Sequence, residues 1–245
     1  MNILVPLAGK DESFVEEFGD IKPFVKISGT PLIEFVMKCL PYALDRLIFI
    51  CLREHEKRFD IVTRLKRIFG EHTRVVWAER LTEGSACSAL LAAEYVDNDE
   101  ELLVDLADIY FDPLSMRNDI VAKGPEVSGV IPICRDTVQD KPWGYVYFDK
   151  QGYVNELKEK EVNPVGRDAT LGLYHFARGA DFVRYTRKMI NENRKVSYNS
   201  LFYIGPVYNL LIEDGKKVIT CDTKIKSVLG SVEGVKRFIN KAQNI

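Results

Sequence analysis

Residues 101–112 read ELLVDLADIYFD, a nearly continuous apolar run that stops at Asp108 rather than in an ordinary turn. A strand buried on both faces has this composition, because neither of its sides meets water. A carboxylate where such a strand leaves its sheet is well placed to hold a divalent cation against phosphate oxygens. A second apolar run, 2–7, ends in Pro6-Leu7-Ala8-Gly9, small residues that let a ligand approach the backbone closely. The two strand ends are expected to face one crevice.

From residue 2 to about residue 135, apolar runs alternate with helix-period segments, the mark of a parallel sheet covered by helices. Segments 46–52 and 74–78 read as further strands. Segment 9–29 reads as irregular, after which Pro31 occupies the first turn of a helix with Leu32, Phe35, Val36, Cys39 and Leu40 on its apolar face. Segment 54–69 reads as one surface helix striped by Phe59, Val62 and Leu65, and 84–96 as an alanine-rich helix. Past residue 135 the pattern changes. Segments 143–148 and 153–159 alternate around Asp149-Lys150-Gln151-Gly152, a hairpin signal that makes the sheet mixed. Then come a strand at 169–177, helices at 181–191 and 202–212, a late strand at 217–220 and a closing helix at 232–242. The expected class is α/β, one compact unit with a small β-hairpin lobe.

A chain of 245 residues is long enough to bury a sizeable core. With 34 basic against 36 acidic residues it carries no electrostatic footprint for nucleic acid or an anionic membrane, so a small-molecule partner is expected. Cys39, Cys51, Cys87, Cys134 and Cys221 are widely separated and lack zinc-ligand spacing, which suits a reducing compartment. No basic leader precedes the first acids and no apolar run reaches membrane-spanning length, so the expected location is the cytoplasm. His55, His72 and His175 show no ligand-like spacing and receive no role.

Several short motifs recur in a fixed order: Pro6-Leu7-Ala8-Gly9, Lys22-Pro23 followed by Gly29-Thr30-Pro31-Leu32-Ile33, Glu83-Gly84-Ser85-Ala86, and the 102–108 run. Trp143-Gly144-Tyr145, Glu159-Lys160, Gly172-Leu173-Tyr174 and Gly230-Ser231-Val232-Glu233 follow. Each alone is weak, but their order and spacing resemble the sugar-phosphate nucleotidylyltransferases over nearly the whole chain. The resemblance implies a Rossmann-like mixed, mostly parallel sheet of the nucleotide-diphospho-sugar transferase type. It also implies a single domain over 1–245, with 1–135 holding the nucleotide and 136–245 the acceptor. The implied reaction couples a nucleoside triphosphate to a sugar phosphate and releases pyrophosphate, in surface polysaccharide biosynthesis. Such chemistry needs positioning and charge neutralisation more than a protein base.

By the same resemblance, Asp108 would ligate Mg2+ and Lys22 would add a fixed positive charge at the phosphates. Leu7, Ala8 and Gly9 would hold base and ribose through backbone groups, and Gly84 and Ser85 would present free N–H groups. Gly144, Tyr145, Glu159, Lys160 and Gly172 would line the acceptor half, with Glu159 accepting from hydroxyls and Lys160 meeting the phosphate. A homodimer would be unsurprising.

The chain also departs from the family pattern. The family's phosphate loop is glycine-rich and carries an arginine, whereas here it reads Gly9-Lys10-Asp11-Glu12-Ser13-Phe14. Its two acids predict repulsion of triphosphate, and Lys10 is the candidate replacement for the arginine. The family often has a second metal-binding aspartate before the late glycine, where this chain has Ser227-Val228-Leu229, which leaves a single ligand. Asp105, three residues before Asp108 in a strand, reads as a buried hydrogen-bond acceptor. Trp143 reads as cross-strand packing, and Asn209 as a residue able to bond a sugar or a neighbouring subunit. Two alternatives stay open: a glycosyltransferase of the related fold that uses a nucleotide sugar, and a nucleotide- or sugar-binding protein without turnover.

Overall fold

The computed structural model describes residues 1–44, 46–112, 116, 119–120, 122–135, 143–161, 164 and 168–243. The first half contains β1 (Asn2–Leu7), α1 (Glu12–Phe18), a short 3-10 turn (Lys22–Phe24), and β2 (Lys26–Ile27) paired with β3 (Thr30–Pro31). Next come α2 (Leu32–Met37), β4 (Leu47–Leu52), α3 (Arg53–Phe59), α4 (Ile61–Phe69), β5 (Arg74–Ala78), α5 (Ser85–Leu90), α6 (Ala93–Val96) and β6 (Leu102–Asp105). β1 lies between β4 and β6, Ile3 facing Leu47 on one edge and Leu103 on the other, and β4 pairs onward with β5. All four strands are parallel, and every residue of β4 and β6 is buried, as strands covered on both faces require.

The second half contains β7 (Ile109–Phe111), β8 (Val127–Cys134), β9 (Trp143–Phe148), β10 (Val154–Glu161), β11 (Ala169–Thr170) and β12 (Leu173–Phe176). α7 (Gly179–Asn191), α8 (Val207–Glu213), β13 (Lys217–Asp222), β14 (Ile225–Val228) and α9 (Val232–Gln243) complete it. Alternate residues of β1 and β4 point to opposite faces. Ile3, Val5 and Phe49 join a core under α2, α4 and α9, whereas Leu4, Ile48 and Ile50 join one under α5, α7 and α8. The result is the α/β class expected, with a mixed and mostly parallel sheet between helical layers. Among the described residues no helix is long and apolar enough to cross a membrane.

The registers place a fork in this sheet. Val130 of β8 faces His175 of β12 on one edge and Ile219 of β13 on the other, and Ile133 likewise faces Thr170 of β11 and Asp222 of β13. β11 and β12 therefore follow one another along a single edge of β8. On their far edge β12 pairs with β6, but β11 pairs with β9, so the sheet divides at Leu171-Gly172. One branch runs into the parallel half and the other into the β9–β10 hairpin. Gly172 makes the bend at φ +69, a conformation glycine enters without a Cβ penalty, and its carbonyl accepts the Leu106 N–H at 2.9 Å.

Local turns correct several sequence expectations. The 169–177 strand is two strands around that bend. The 101–112 run is not one strand: β6 stops at Asp105, Ala107 turns the chain at φ +53, and β7 pairs with β14 in a separate ribbon. The 54–69 helix breaks at Asp60, φ +47, with Glu56 accepting the Ile61 and Val62 N–H groups that the break exposes. The 84–96 helix divides into α5 and α6, and the 9–29 segment holds α1 and the 3-10 turn. The 202–212 helix starts only at Val207, because Phe202 is paired with the 83–86 loop, donating to Glu83 O at 2.8 Å and accepting from Ala86 at 3.1 Å.

Candidate active site

The gap between the two branches of the sheet opens where β6 ends. Asp108 stands there, and Lys22, carried by the 3-10 turn, hydrogen-bonds its Oδ1. Burial alone would lower the Lys22 pKa; the Asp108 carboxylate, helped by Asp11 and Asp105, more than offsets this and holds it above the ordinary lysine range. Asp105 points inward, accepting the Ala107 N–H on Oδ1 at 2.8 Å while Oδ2 has no partner among the described residues. Its burial pushes its pKa up to about 7, with Asp108 adding to the rise. The turn at Ala107 thus separates the two acids, one dry and one facing the gap.

Two cavities meet at Asp108. The larger, about 360 Å³, is walled by Leu7, Ala8 and Gly9 at the end of β1, by Lys22, by Gly84 and Ser85 at the start of α5, and by Asp108. Glu159 and Lys160 reach it from β10. The smaller, about 210 Å³, shares Asp108, Glu159 and Lys160 and adds Gly144, Gly172, Trp143, Tyr174 and Ser231. The end of strand one and the acid after β6 therefore do share one crevice.

Glu159 and Lys160 are consecutive, and consecutive strand residues ordinarily face opposite sides. A register shift between Lys158 and Glu161 lets both line the crevice, with Lys160 in the left-handed region at φ +58. The Glu159 side chain is 7% exposed, and its nearest cation, Lys160, lies 3.9 Å away. Its Oε2 has no hydrogen-bond partner among the described residues. Burial raises its pKa, against the opposing pull of Lys160. Glycine is needed beside it: a Cβ on Gly144 would lie 2.9 Å from Oε2, and one on Gly205 3.0 Å away. Gly84 is constrained in the same way, since a Cβ there would fall 2.2 Å from the Phe202 carbonyl.

Two of the sequence candidates line neither cavity. Tyr145 is 1% exposed, turned to the opposite face of β9 from Gly144, with no partner for its hydroxyl among the described residues. Lys10 is exposed at the end of the bend, and Asp11 faces the larger cavity in its place, at φ +54 as the first residue before α1. Burial raises the Asp11 pKa, opposed by Lys22 and His55. Asn209 is spent on structure, its amide accepting the Leu157 N–H at 2.7 Å and donating to the Leu157 carbonyl at 2.9 Å. Sequence reasoning missed Tyr203, Thr82 and Ser88, which also line the larger cavity. Tyr203 lay hidden in a segment whose aromatic spacing mimics a core helix. Among the described residues no arginine lines either cavity.

Known proteins share this fold and, in part, this sequence. The model of the nucleotidyl transferase family matches residues 19–223. The bifunctional protein GlmU of Methanocaldococcus jannaschii is 24% identical over 156 residues, covering 63% of this chain and 34% of that protein. The protein of the same description from Methanococcus aeolicus is 23% identical over 180 residues, covering 72% and 40%. The chain thus spans well under half the length of these relatives. Among solved structures, a nucleoside-diphosphate-sugar pyrophosphorylase from Vibrio cholerae superposes with a TM-score of 0.76 at 18% identity, over 97% of this chain and 99% of that one. A UDP-glucose pyrophosphorylase in complex with UDP-glucose gives 0.76 at 17% identity, over 99% and 98%. These similarities concern the fold, whereas the family match covers most of the sequence: the chain belongs to the nucleotidyl transferase family.

Proposed function

We propose that the protein joins a nucleoside triphosphate to a sugar 1-phosphate or a similar phosphorylated acceptor and releases pyrophosphate, in the making of surface polysaccharide. An acceptor phosphate oxygen attacks the α-phosphorus; that P–O bond forms as the bond to the β-phosphate bridging oxygen breaks, and its electron pair leaves with pyrophosphate. The observation that carries this reading is the pair of cavities meeting at Asp108, Glu159 and Lys160, one walled by the β1 bend and the other by the hairpin branch. In it, Leu7, Ala8 and Gly9 hold base and ribose, Gly84 and Ser85 flank the base, and Lys22 leaves Asp108 to bind a phosphate. Glu159, Lys160, Gly144 and Gly172 receive the acceptor, and exposed Lys10, outside the cavity wall, meets the outermost phosphate.

Magnesium is commonly held by one or two carboxylates completed by substrate phosphates and waters. A lone, 40% exposed Asp108 fits that mode, and among the described residues no cluster of three or more acids, histidines or cysteines forms a site by itself. A cation bound there would neutralise charge on the transferring phosphates. The wall needs it, since Asp11, Asp108 and Glu159 outnumber Lys22 and Lys160. That imbalance, with Asp11 where a basic residue was expected, also favours a second reading: a binding protein without turnover.

The test is incubation with magnesium, each nucleoside triphosphate and a panel of sugar 1-phosphates, with pyrophosphate as the readout. Asp108→Ala is expected to lower the rate at least about a hundredfold; an unaffected rate overturns the mechanism. Calorimetric binding of nucleotide with no pyrophosphate establishes the second reading, and nucleoside diphosphate released from a nucleotide sugar establishes a glycosyltransferase.

A further inference from the structure

In the proposed reaction Lys22 and Asp108 have separate tasks, one on a phosphate and one on a cation, yet in this fold they are spent on each other. The Lys22 ammonium hydrogen-bonds Asp108 Oδ1 and no other acceptor among the described residues. Its side chain is only 15% exposed, so it depends on that carboxylate both for charge and for a hydrogen bond. Asp11 stands on the same cavity wall without bonding the ammonium. The position a cation would take on Asp108 is thus held by a cation of the chain itself.

The backbone that carries Lys22 is anchored on both sides. Asp20 accepts the Ile21 N–H at 2.9 Å and is itself gripped by the Arg64 fork at 2.9 and 2.6 Å. The Arg64 guanidinium lies 3.8 Å from the centre of the Phe24 ring, and Phe24 and Pro23 are both buried. Beyond the 3-10 turn, Val25 accepts the Leu32 N–H at 2.8 Å, which ties it to α2. Only the four-carbon stem of Lys22 is left to swing. An ammonium tethered so closely competes with a free ion at an effective concentration of about millimolar or more. Magnesium gives up its waters reluctantly and is ordinarily held by one or two carboxylates together with substrate phosphates, so one acid without phosphates competes poorly. A triphosphate removes both obstacles, since its oxygens complete the coordination of the cation and accept the ammonium.

We propose that Lys22 is a gate on the metal position: its ammonium closes Asp108 to free divalent cations, and a nucleoside triphosphate opens it by taking the ammonium, so that cation and nucleotide enter together. This deepens the proposed function and rests on reading Asp108 as the cation ligand. Free cation is refused because the exchange is balanced only when phosphate oxygens are there to receive Lys22.

Manganese, whose binding is read from water-proton relaxation without turnover, is titrated into the native chain, Lys22→Met, Asp108→Ala and the double variant. Methionine keeps the apolar stem and loses the ammonium; Lys22→Gln carries the same expectation, and thermal melting shows which variants fold. The native chain and Asp108→Ala are expected to bind free manganese equally weakly. Lys22→Met should bind it at least about tenfold tighter, the worth of one charge-assisted hydrogen bond, and the double variant should lose that gain. The nitrogen resonance of the Lys22 ammonium should stay in place under magnesium alone. It should move when magnesium is joined by the α,β-methylene analogue of a ribonucleoside triphosphate, the four common bases being tried in turn. Free manganese binding in the native chain that Asp108→Ala abolishes, no gain in either Lys22 variant, or an ammonium signal that magnesium moves alone or that no analogue moves overturns the proposal. The gain in Lys22→Met with no pyrophosphate from any triphosphate removes the reaction and keeps the gate. Pyrophosphate release with no such gain removes the gate and keeps the reaction.

Discussion

Gly144 shows how one missing side chain organises the crevice. An added Cβ would meet Glu159 Oε2 at 2.9 Å and Thr170 Oγ1 at 2.8 Å, so Gly144→Ala must displace a buried carboxylate. The expected outcome is at least a tenfold rise in acceptor KM with a stability loss of about 1–3 kcal/mol, checked by kinetics and denaturant melts. Asp105 makes a prediction in pH. Its pKa of about 7 in the fold lies above the ordinary 3.8, so folding favours its protonated form. The resulting penalty is nearly absent below about pH 4, grows as pH rises from there to about 7, and levels off above that. Asp105→Asn, which keeps an acceptor for Ala107, is expected to be more stable than the native chain by about 1–3 kcal/mol at pH 8 and equal to it near pH 4. Urea titrations at the two pH values decide it. Asp11→Asn removes a carboxylate from the larger cavity and should tighten triphosphate binding about threefold to tenfold, most at low magnesium; calorimetry with unchanged affinity would refute it. Asp105 was legible as a buried acceptor, since an acid inside an apolar strand is costly to ionise without a partner, whereas the turn at Ala107 that sends Asp108 the other way was not. That Asp11 rather than Lys10 faces the cavity was not legible, because it depends on one left-handed backbone conformation.

At the scale of elements, long periodic segments were read well and interruptions poorly. The runs at 2–7, 74–78 and 143–148 appear as strands with those limits, because alternation or continuous burial leaves a plain pattern. The break at Asp60 was invisible: α4 resumes the amphipathic stripe of α3, and a period says nothing about one residue at positive φ between them. Ala107 and Gly172 were missed for the same reason. The 202–206 segment misled because its spacing suits a helix while its backbone is committed to the 83–86 loop. That commitment can be tested. Gly84→Ala would drive a Cβ to 2.2 Å from the Phe202 carbonyl and separate the two loops, with an expected loss of about 3 kcal/mol or more and weakened nucleotide binding. A melting temperature unchanged within error would show that the loops can part freely.

For the whole molecule, the alternation of runs and helical segments announced a helix-covered parallel sheet, and the hairpin announced its mixed character. The fork was beyond the sequence, since it depends on β11 and β12 sharing one edge of β8 while choosing different neighbours on the other. That division has an evolutionary corollary. The spacing between the two cavities is fixed by a seam of ladder hydrogen bonds on one bent segment, not by a flexible tether. Exchanging the lobe beyond the seam for that of a relative, with Leu171-Gly172 kept, should therefore alter which acceptor is taken and leave the choice of nucleobase as it was. Chimeras assayed against a matrix of triphosphates and phosphorylated sugars would separate the two preferences, and a lineage could retune one compartment without rebuilding the other.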